Sequence, residues 1–253
     1  MSYDTVVFDL DGILLKDGMM TSNGKEAVEK LLNHGFHVIY SSGKNYWYTA
    51  GGLSFSNLLR DDTIIMAENG GIIFFPFNRE MVTFGCEKND VAEVSREFIK
   101  RHCHYENGNL VLREPRTPLW QEPKETIFTL FPMDLSTIPT IKQYLEAIIS
   151  ERGLDLYAID HSDAVDTVSM GQHKGTALEY LCENSIINLR DTVAFGDGNN
   201  DKEMLETVGL PITVDNANDD IKELVREKGG IITAGAYGAG VLEAVELLVS
   251  GEL

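Results

Sequence analysis

β-Branched and aromatic residues fill Thr5-Val6-Val7-Phe8, and the run stops abruptly at Asp9. A short continuous run of this kind predicts a strand buried on both faces. Asp9-Leu10-Asp11-Gly12 then sets two carboxylates around one apolar residue, with Gly12 free to turn the backbone sharply. Charged groups avoid the end of a buried strand unless a cation or a reaction holds them there. An Asp-Gly turn alone would account for the dipeptide, so the weight falls on what the chain places beside it.

After this strand, Ala27, Val28, Leu31 and Leu32 share one helical face, with Ser22 as the expected cap and Asn33 and Gly35 as the stop. Phe36 to Tyr40 predicts a second strand, closing on Ser41-Ser42-Gly43-Lys44. Strand, helix and strand at this spacing make a βαβ unit and imply a parallel sheet. Thr63 to Met66 predicts a third strand, followed by Glu68-Asn69-Gly70-Gly71, which reads as a turn. Ile72 to Phe77 and Met81 to Phe84 predict a hairpin.

From about Glu87 the texture changes. A helix is expected from Asp90 to about Arg101, and Asn107-Gly108 is a hairpin turn between Tyr105 and Leu110 to Leu112. Strands follow at Ile127 to Phe131, Leu156 to Ile159 and Ala164 to Ser169, with a helix from Ser136 to Glu151. The alternating rhythm returns at His173. Helices are expected at Gly175 to Cys182, Asp201 to Thr207, Asp219 to Arg226 and Val241 to Val249. Strands are expected at Thr192 to Phe195, Ile212 to Val214 and Ile231-Ile232. The predicted fold class is therefore α/β: a doubly wound, mostly parallel core over residues 1–84 and 171–253, with an α+β module inserted over 85–170. Inserted modules of this size often act as lids at the carboxyl edge of a parallel sheet.

Composition narrows the partners. The chain has 253 residues, enough for two modest domains, and a formal net charge of −19. Such a field repels nucleic acid and anionic membrane, so neither is expected as a partner, while Mg²⁺ would gather near the surface. Cys86, Cys103 and Cys182 match neither a zinc pattern nor a disulfide framework, and His102-Cys103-His104 lacks a second ligand pair. The chain opens directly into a strand with no visible signal peptide, so a reducing cytoplasm is the expected location.

Four clusters fall at predicted strand ends or helix starts: Asp9 with Asp11, Ser42-Gly43-Lys44, Lys174, and Asp197 through Asn200-Asp201. Beyond the carboxyl ends of an open α/β sheet lies the crevice where ligands bind. Phosphoryl transfer to a carboxylate accounts for the set, because an anion attacking an anion needs a metal and cations beside it. Asp9 can attack phosphorus, and Asp11 can protonate the leaving alcohol and then activate water. Ser42, the Gly43 backbone N–H, Lys174 and Asn200 can hold phosphoryl oxygens. Hard oxygens for Mg²⁺ can come from Asp9, Asp11, Asp197 and Asp201. Asn216, after another strand, reads as a helix cap.

These motifs, in this order and with a cap-sized insertion between the second and third, resemble the haloacid dehalogenase superfamily of phosphatases. The narrower likeness is to its Cof-type, class IIB branch. Asp9-Leu10-Asp11-Gly12 is similar to the family's first motif, Ser42-Gly43-Lys44 to the second, Lys174-Gly175-Thr176 to the third and Gly196-Asp197 through Asp201 to the fourth. Lys44 stands where the family often carries Arg and makes no bidentate contact. Glu68-Asn69-Gly70-Gly71 and the modest cap are similar to archaeal-type phosphoglycolate phosphatases and sugar-phosphate phosphatases. The resemblance implies a Mg²⁺-dependent phosphatase acting on a small phosphorylated metabolite through an aspartyl-phosphate. Two alternatives stand beside it: a phosphomutase of the phosphomannomutase type, and a non-catalytic phosphate- or metal-binding regulator. Candidate selectors of the substrate in the cap are Arg113, Arg116, Trp120, Lys124 and His161.

Overall fold

The computed structural model describes residues 3–85 and 88–253, so Cys86 lies outside the described residues. The chain forms two compact units, Met1–Val82 with His173–Leu253, and Thr83–Gln172. In the first unit, β1 (Thr5–Asp9) is buried at every position, as its unbroken apolar run requires. A small ribbon of β2 (Leu15–Lys16) and β3 (Met19–Met20) follows. Helix α1 (Ser22–Asn33) buries Ala27, Val28 and Leu31. Its cap is Thr21 rather than Ser22: Thr21 Oγ1 accepts from the Gly24 N–H at 3.0 Å, so the helix begins one residue earlier than a Ser22 cap implies. Next come β4 (His37–Ser41), α2 (Tyr46–Phe55), β5 (Ile64–Ala67), β6 (Ile72–Phe75) and β7 (Glu80–Thr83).

The second unit opens with α3 (Lys88–His102), β8 (Cys103–Glu106) and β9 (Asn109–Leu112). Asn107 and Gly108 both take positive φ between those strands, which suits a two-residue hairpin turn. Then come β10 (Thr117–Glu122), β11 (Phe128–Pro132), α4 (Ile138–Arg152), β12 (Leu156–Asp160) and β13 (Val165–Ser169). Among the described residues these six strands form one sheet in the order β12-β13-β11-β10-β9-β8. Val94 and Phe98 of α3 and Ile141 and Leu145 of α4 bury against Leu112, Leu130 and Val165, a core separate from that of the first unit.

The chain re-enters the first unit through α5 (Lys174–Glu183), β14 (Thr192–Phe195), α6 (Lys202–Thr207), β15 (Leu210–Thr213), α7 (Asp219–Glu227), β16 (Ile231–Ile232) and α8 (Tyr237–Ser250). The described strands assemble in the order β16-β15-β14-β1-β4-β5-β6-β7, parallel from β16 to β5 and antiparallel from β5 to β6. From β1 the chain winds outward through β4 and β5, and later returns through β14 to wind the other way. β1 is thus the switch point of a doubly wound sheet, beside which such folds open a ligand crevice. Register then decides what lines that edge: Asp9 pairs with Ser41, and Phe8 lies between Tyr40 and Phe195. Asp9, Ser42 and Asp197 therefore emerge side by side. Among the described residues, no helix is long and apolar enough to cross a membrane.

Candidate active site

Asp9 closes β1 almost wholly buried, and its Oδ1 accepts a hydrogen bond from Lys174 Nζ at 2.5 Å. Lys174 opens α5, whose N-cap His173 accepts from the Thr176 N–H. The same ammonium donates to Asp201 Oδ1 at 2.5 Å and has no exposed surface. Asp201 in turn accepts from the Asp197 and Gly198 backbone N–H groups through Oδ2, at 2.9 and 3.0 Å. Both oxygens of Asp201 are therefore engaged in holding Lys174 and the loop after β14.

One oxygen from each of Asp9, Asp197 and Asp201 falls within a 4.8 Å cluster. Asp11 is not in that trio. Its carboxylate is half exposed and pairs with Lys44 at 3.4 Å. Gly12 explains how the first and last motifs come so close: at φ +83°, a Cβ on it would lie 2.0 Å from Asp197 Oδ2. A residue with a side chain there would displace the Asp197 carboxylate.

Electrostatics follow from this crowding. Burial, and then the neighbouring Asp201, push the Asp9 carboxyl well above the ordinary carboxylate range. The same two causes, in the same order, lift Asp197 to about 7. Burial opposes the charge on Lys174, but Asp201 and Asp9 outweigh it and hold its ammonium above the ordinary lysine range. One buried lysine thus faces three clustered carboxylates. The charge left over, and the hard oxygen donors that carry it, fit a divalent cation of the Mg²⁺ type.

On the other side of β1, the Ser42 N–H donates to Met66 O at 2.9 Å, and Ser42 Oγ accepts from the Lys44 N–H at 3.1 Å. The Oγ–H of this buried serine is the group expected from the sequence to donate to a phosphoryl oxygen. Asn200, expected to touch phosphate, donates through Nδ2 to Asn69 Oδ1 at 3.2 Å.

Two asparagines do more than the sequence suggested. Asn69, in the stretch read as a plain turn, pairs with Asn200 131 positions away, and its neighbour Gly70 packs where a Cβ would meet His173 O at 2.2 Å. Asn216 is not a helix cap, since Asn218 holds that position for α7. Asn216 Nδ2 instead donates to Gly12 O at 2.9 Å, while its Oδ1 accepts from the Tyr237 N–H. It fastens the turn that follows Asp11.

Within the second unit, each candidate selector has a partner of its own. Arg113 donates to the Lys100 and Arg101 carbonyls at the end of α3, Arg116 pairs with Glu106, and Trp120 packs on Phe131. Lys124 reaches Glu122 and Thr129, and His161 pairs with Asp166. The His102-Cys103-His104 side chains part ways: His102 stacks on Tyr144, Cys103 is buried in the core, and His104 pairs with Glu106.

Residues 6–115 and 113–244 match the family model described as haloacid dehalogenase-like hydrolase. A phosphoglycolate phosphatase of Methanococcoides burtonii is 26% identical over 258 residues, covering 100% of both chains. A haloacid dehalogenase-like hydrolase from Bacteroides thetaiotaomicron superposes with a TM-score of 0.76 at 20% identity, over 97% of this chain and 99% of that one. A sugar phosphatase of the superfamily's subclass IIB superposes with a TM-score of 0.68 at 18% identity, over 96% and 98% of the two chains.

Proposed function

The chain belongs to the haloacid dehalogenase-like hydrolases and is a phosphatase, and from that membership we propose that it hydrolyses a small phosphorylated metabolite with Mg²⁺ through an aspartyl-phosphate on Asp9. The substrate class is a sugar phosphate or a phosphoglycolate-like ester, following the activities named for its relatives, and the setting is the cytoplasm. The observation that carries the reading is Lys174 bridging Asp9 and Asp201 beside Asp197. A buried lysine with two carboxylates orients one of them as a nucleophile, and the charge surplus calls for a cation.

Asp9 and Asp197 would hold the metal, because both Asp201 oxygens already serve Lys174 and the loop N–H groups. A Mg²⁺ held by these two carboxylates would offset charge on the phosphoryl oxygens. Asp9 Oδ attacks phosphorus, an acyl-phosphate bond forms, and the bond from phosphorus to the substrate's ester oxygen breaks. Asp11, exposed and within reach of solvent, gives its proton to the departing alkoxide. It then takes a proton from water, whose oxygen attacks phosphorus, and phosphate leaves with Asp9 regenerated. Ser42 Oγ–H and the Gly43 N–H donate to the phosphoryl oxygens, with Asn200 held near by Asn69. Relatives named as phosphatases favour water over a sugar as the final acceptor, which is hydrolysis rather than mutase chemistry.

The test is phosphate release from a panel of small esters, with Mg²⁺ or with EDTA, for wild type and Asp9→Asn. Release that needs metal and disappears in Asp9→Asn is expected, together with acid-stable labelling of wild-type protein by radioactive substrate phosphate. Turnover without label would remove the covalent intermediate.

A further inference from the structure

Helix α2 carries a second surface that meets the site only at Lys44 and otherwise lies outside the proposed catalytic set. It buries Tyr46, Thr49, Ala50 and Leu53, so Tyr48, Gly51, Gly52 and Phe55 fall on one outward row at helical spacing. Phe55 is 96% exposed, Tyr48 62% and the adjacent Trp47 57%. Beside them opens a groove of about 370 Å³, walled by Leu15, Met20, Trp47, Leu53 and Phe55. Three large aromatic side chains bordering an apolar groove are the residue types that concentrate at protein interfaces.

Glycine at two successive positions inside a helix costs about 1 kcal/mol each relative to alanine. Here no described residue crowds either one. A Cβ built on Gly51 or Gly52 meets no atom within 4 Å, and neither has positive φ. The notch they leave lies between Tyr48 and Phe55, which are seven residues and so about 10 Å apart along the helix. The row thus has an aromatic knob at each end and a hole in the middle. A two-fold axis passing between the notch and Phe55 sets the Phe55 ring of each copy against the notch of the other, so the same contact is made twice.

Charge selects the occupant. From Asn45 to Leu59 the sequence contains no Asp, Glu, Lys or Arg, in a chain whose formal net charge is −19. Two copies of so acidic a protein repel over most of their surface, and a face without carboxylates is where they approach at least cost. Lys44 also lines the groove, with its ammonium 5.9 Å from the centre of the Tyr48 ring, and it adds no negative charge to the face. We propose that the α2 face is an isologous dimer interface, with Phe55 of each copy seated against the Gly51-Gly52 notch of the other.

Light scattering and sedimentation equilibrium on the full chain test this, with wild type, Gly52→Arg and Phe55→Asp. Both substitutions are on the surface and neither residue belongs to the catalytic set, so circular dichroism and phosphate release at saturating substrate should match wild type. Wild type is expected as a dimer of about twice 28.1 kDa, with both variants monomeric. Added salt should tighten the wild-type dimer, because screening weakens the repulsion between the two acidic copies. A wild-type monomer at 100 µM overturns the proposal. So does a dimer that survives both substitutions, since another surface would then hold it. A monomer whose variants lose kcat/KM for apolar esters alone would overturn it too, and would assign the groove to substrate.

Discussion

Lys174 Nζ lies 2.5 Å from Asp9 Oδ1, a contact spanning 165 positions of chain and closed to solvent. Burial alone would drive a proton off this lysine, and two carboxylates keep it on. Removing one member of a buried ion pair leaves the other charge without compensation, at a cost of about 3–5 kcal/mol. Lys174→Met is expected to lose stability of that order at pH 8 in urea denaturation, and to lose at least about a hundredfold in phosphate release. The stability loss should shrink at pH 5. Asp9 already has a raised pKa, and without the lysine it takes up a proton more readily, which removes the uncompensated charge. Equal stability of wild type and variant at pH 8 would show that Lys174 is not the main partner of these carboxylates.

Gly12 and Gly18 separate backbone strain from crowding. Both take positive φ, but a Cβ on Gly18 meets nothing within 4 Å while one on Gly12 collides with Asp197. Each alanine substitution should cost about 1–2 kcal/mol from the left-handed backbone. Only Gly12→Ala should also weaken Mg²⁺ binding, by tenfold or more, because it displaces a proposed ligand. Calorimetric titration of Mg²⁺ into both variants checks this. Equal affinities would separate Asp197 from the metal.

The four motifs were legible because each joins a recognisable strand end or helix start to residue types with no structural reason to be there. Asp9 follows an unbroken apolar strand, and Asp197 follows Thr192–Phe195 in the same way. Helix α2 was not legible. Tyr-Trp-Tyr-Thr-Ala-Gly-Gly offers neither polar alternation nor strong helix formers, and Asn45 as its cap shows only in three dimensions. Strand β10 carries Pro118 and too little apolar alternation to stand out. The work of Asn69 and Asn216 was invisible for a different reason. Their partners, Asn200 and Gly12, are 131 and 204 positions away, beyond any local spacing rule. Thr21 and Ser22 are both good caps, and only geometry chooses between them.

Asp197 titrates near pH 7 when no cation offsets its neighbours. Its folded-state value lies above the unfolded value of 3.8, so the metal-free native state binds the extra proton. This group's contribution to stability is therefore full below about pH 4 and falls as the pH rises through 7. A metal that binds the carboxylate reverses that trend. The increase in melting temperature caused by 10 mM Mg²⁺ should be small at pH 5 and large at pH 8, and metal affinity should drop by up to tenfold per unit below pH 7. An increase independent of pH would mean that the ion binds elsewhere.

His161 and Asp166, in the inserted unit, predict a second and opposite pH dependence. His161 Nε2 lies 3.1 Å from Asp166 Oδ2, and Thr129 Oγ1 donates to Asp166 Oδ1 at 2.5 Å. The Asp166 hydrogen bond raises the His161 pKa above its usual 6.5, against burial and the charge of Lys124, with Asp163 assisting. Burial opposes the Asp166 charge, but His161, Lys124 and Thr129 outweigh it and hold its pKa below 3.8. A raised histidine stabilises fully below about pH 6.5 and loses that contribution as pH climbs through its folded value. A lowered aspartate stabilises above about pH 3.8 and loses that contribution as pH falls through its folded value. The pair is therefore worth most between about pH 4 and 6.5. The difference in melting temperature between wild type and His161→Leu should be widest near pH 5.5 and should narrow steadily to pH 9. A difference that stays constant over that range would show that His161 acts through packing rather than charge.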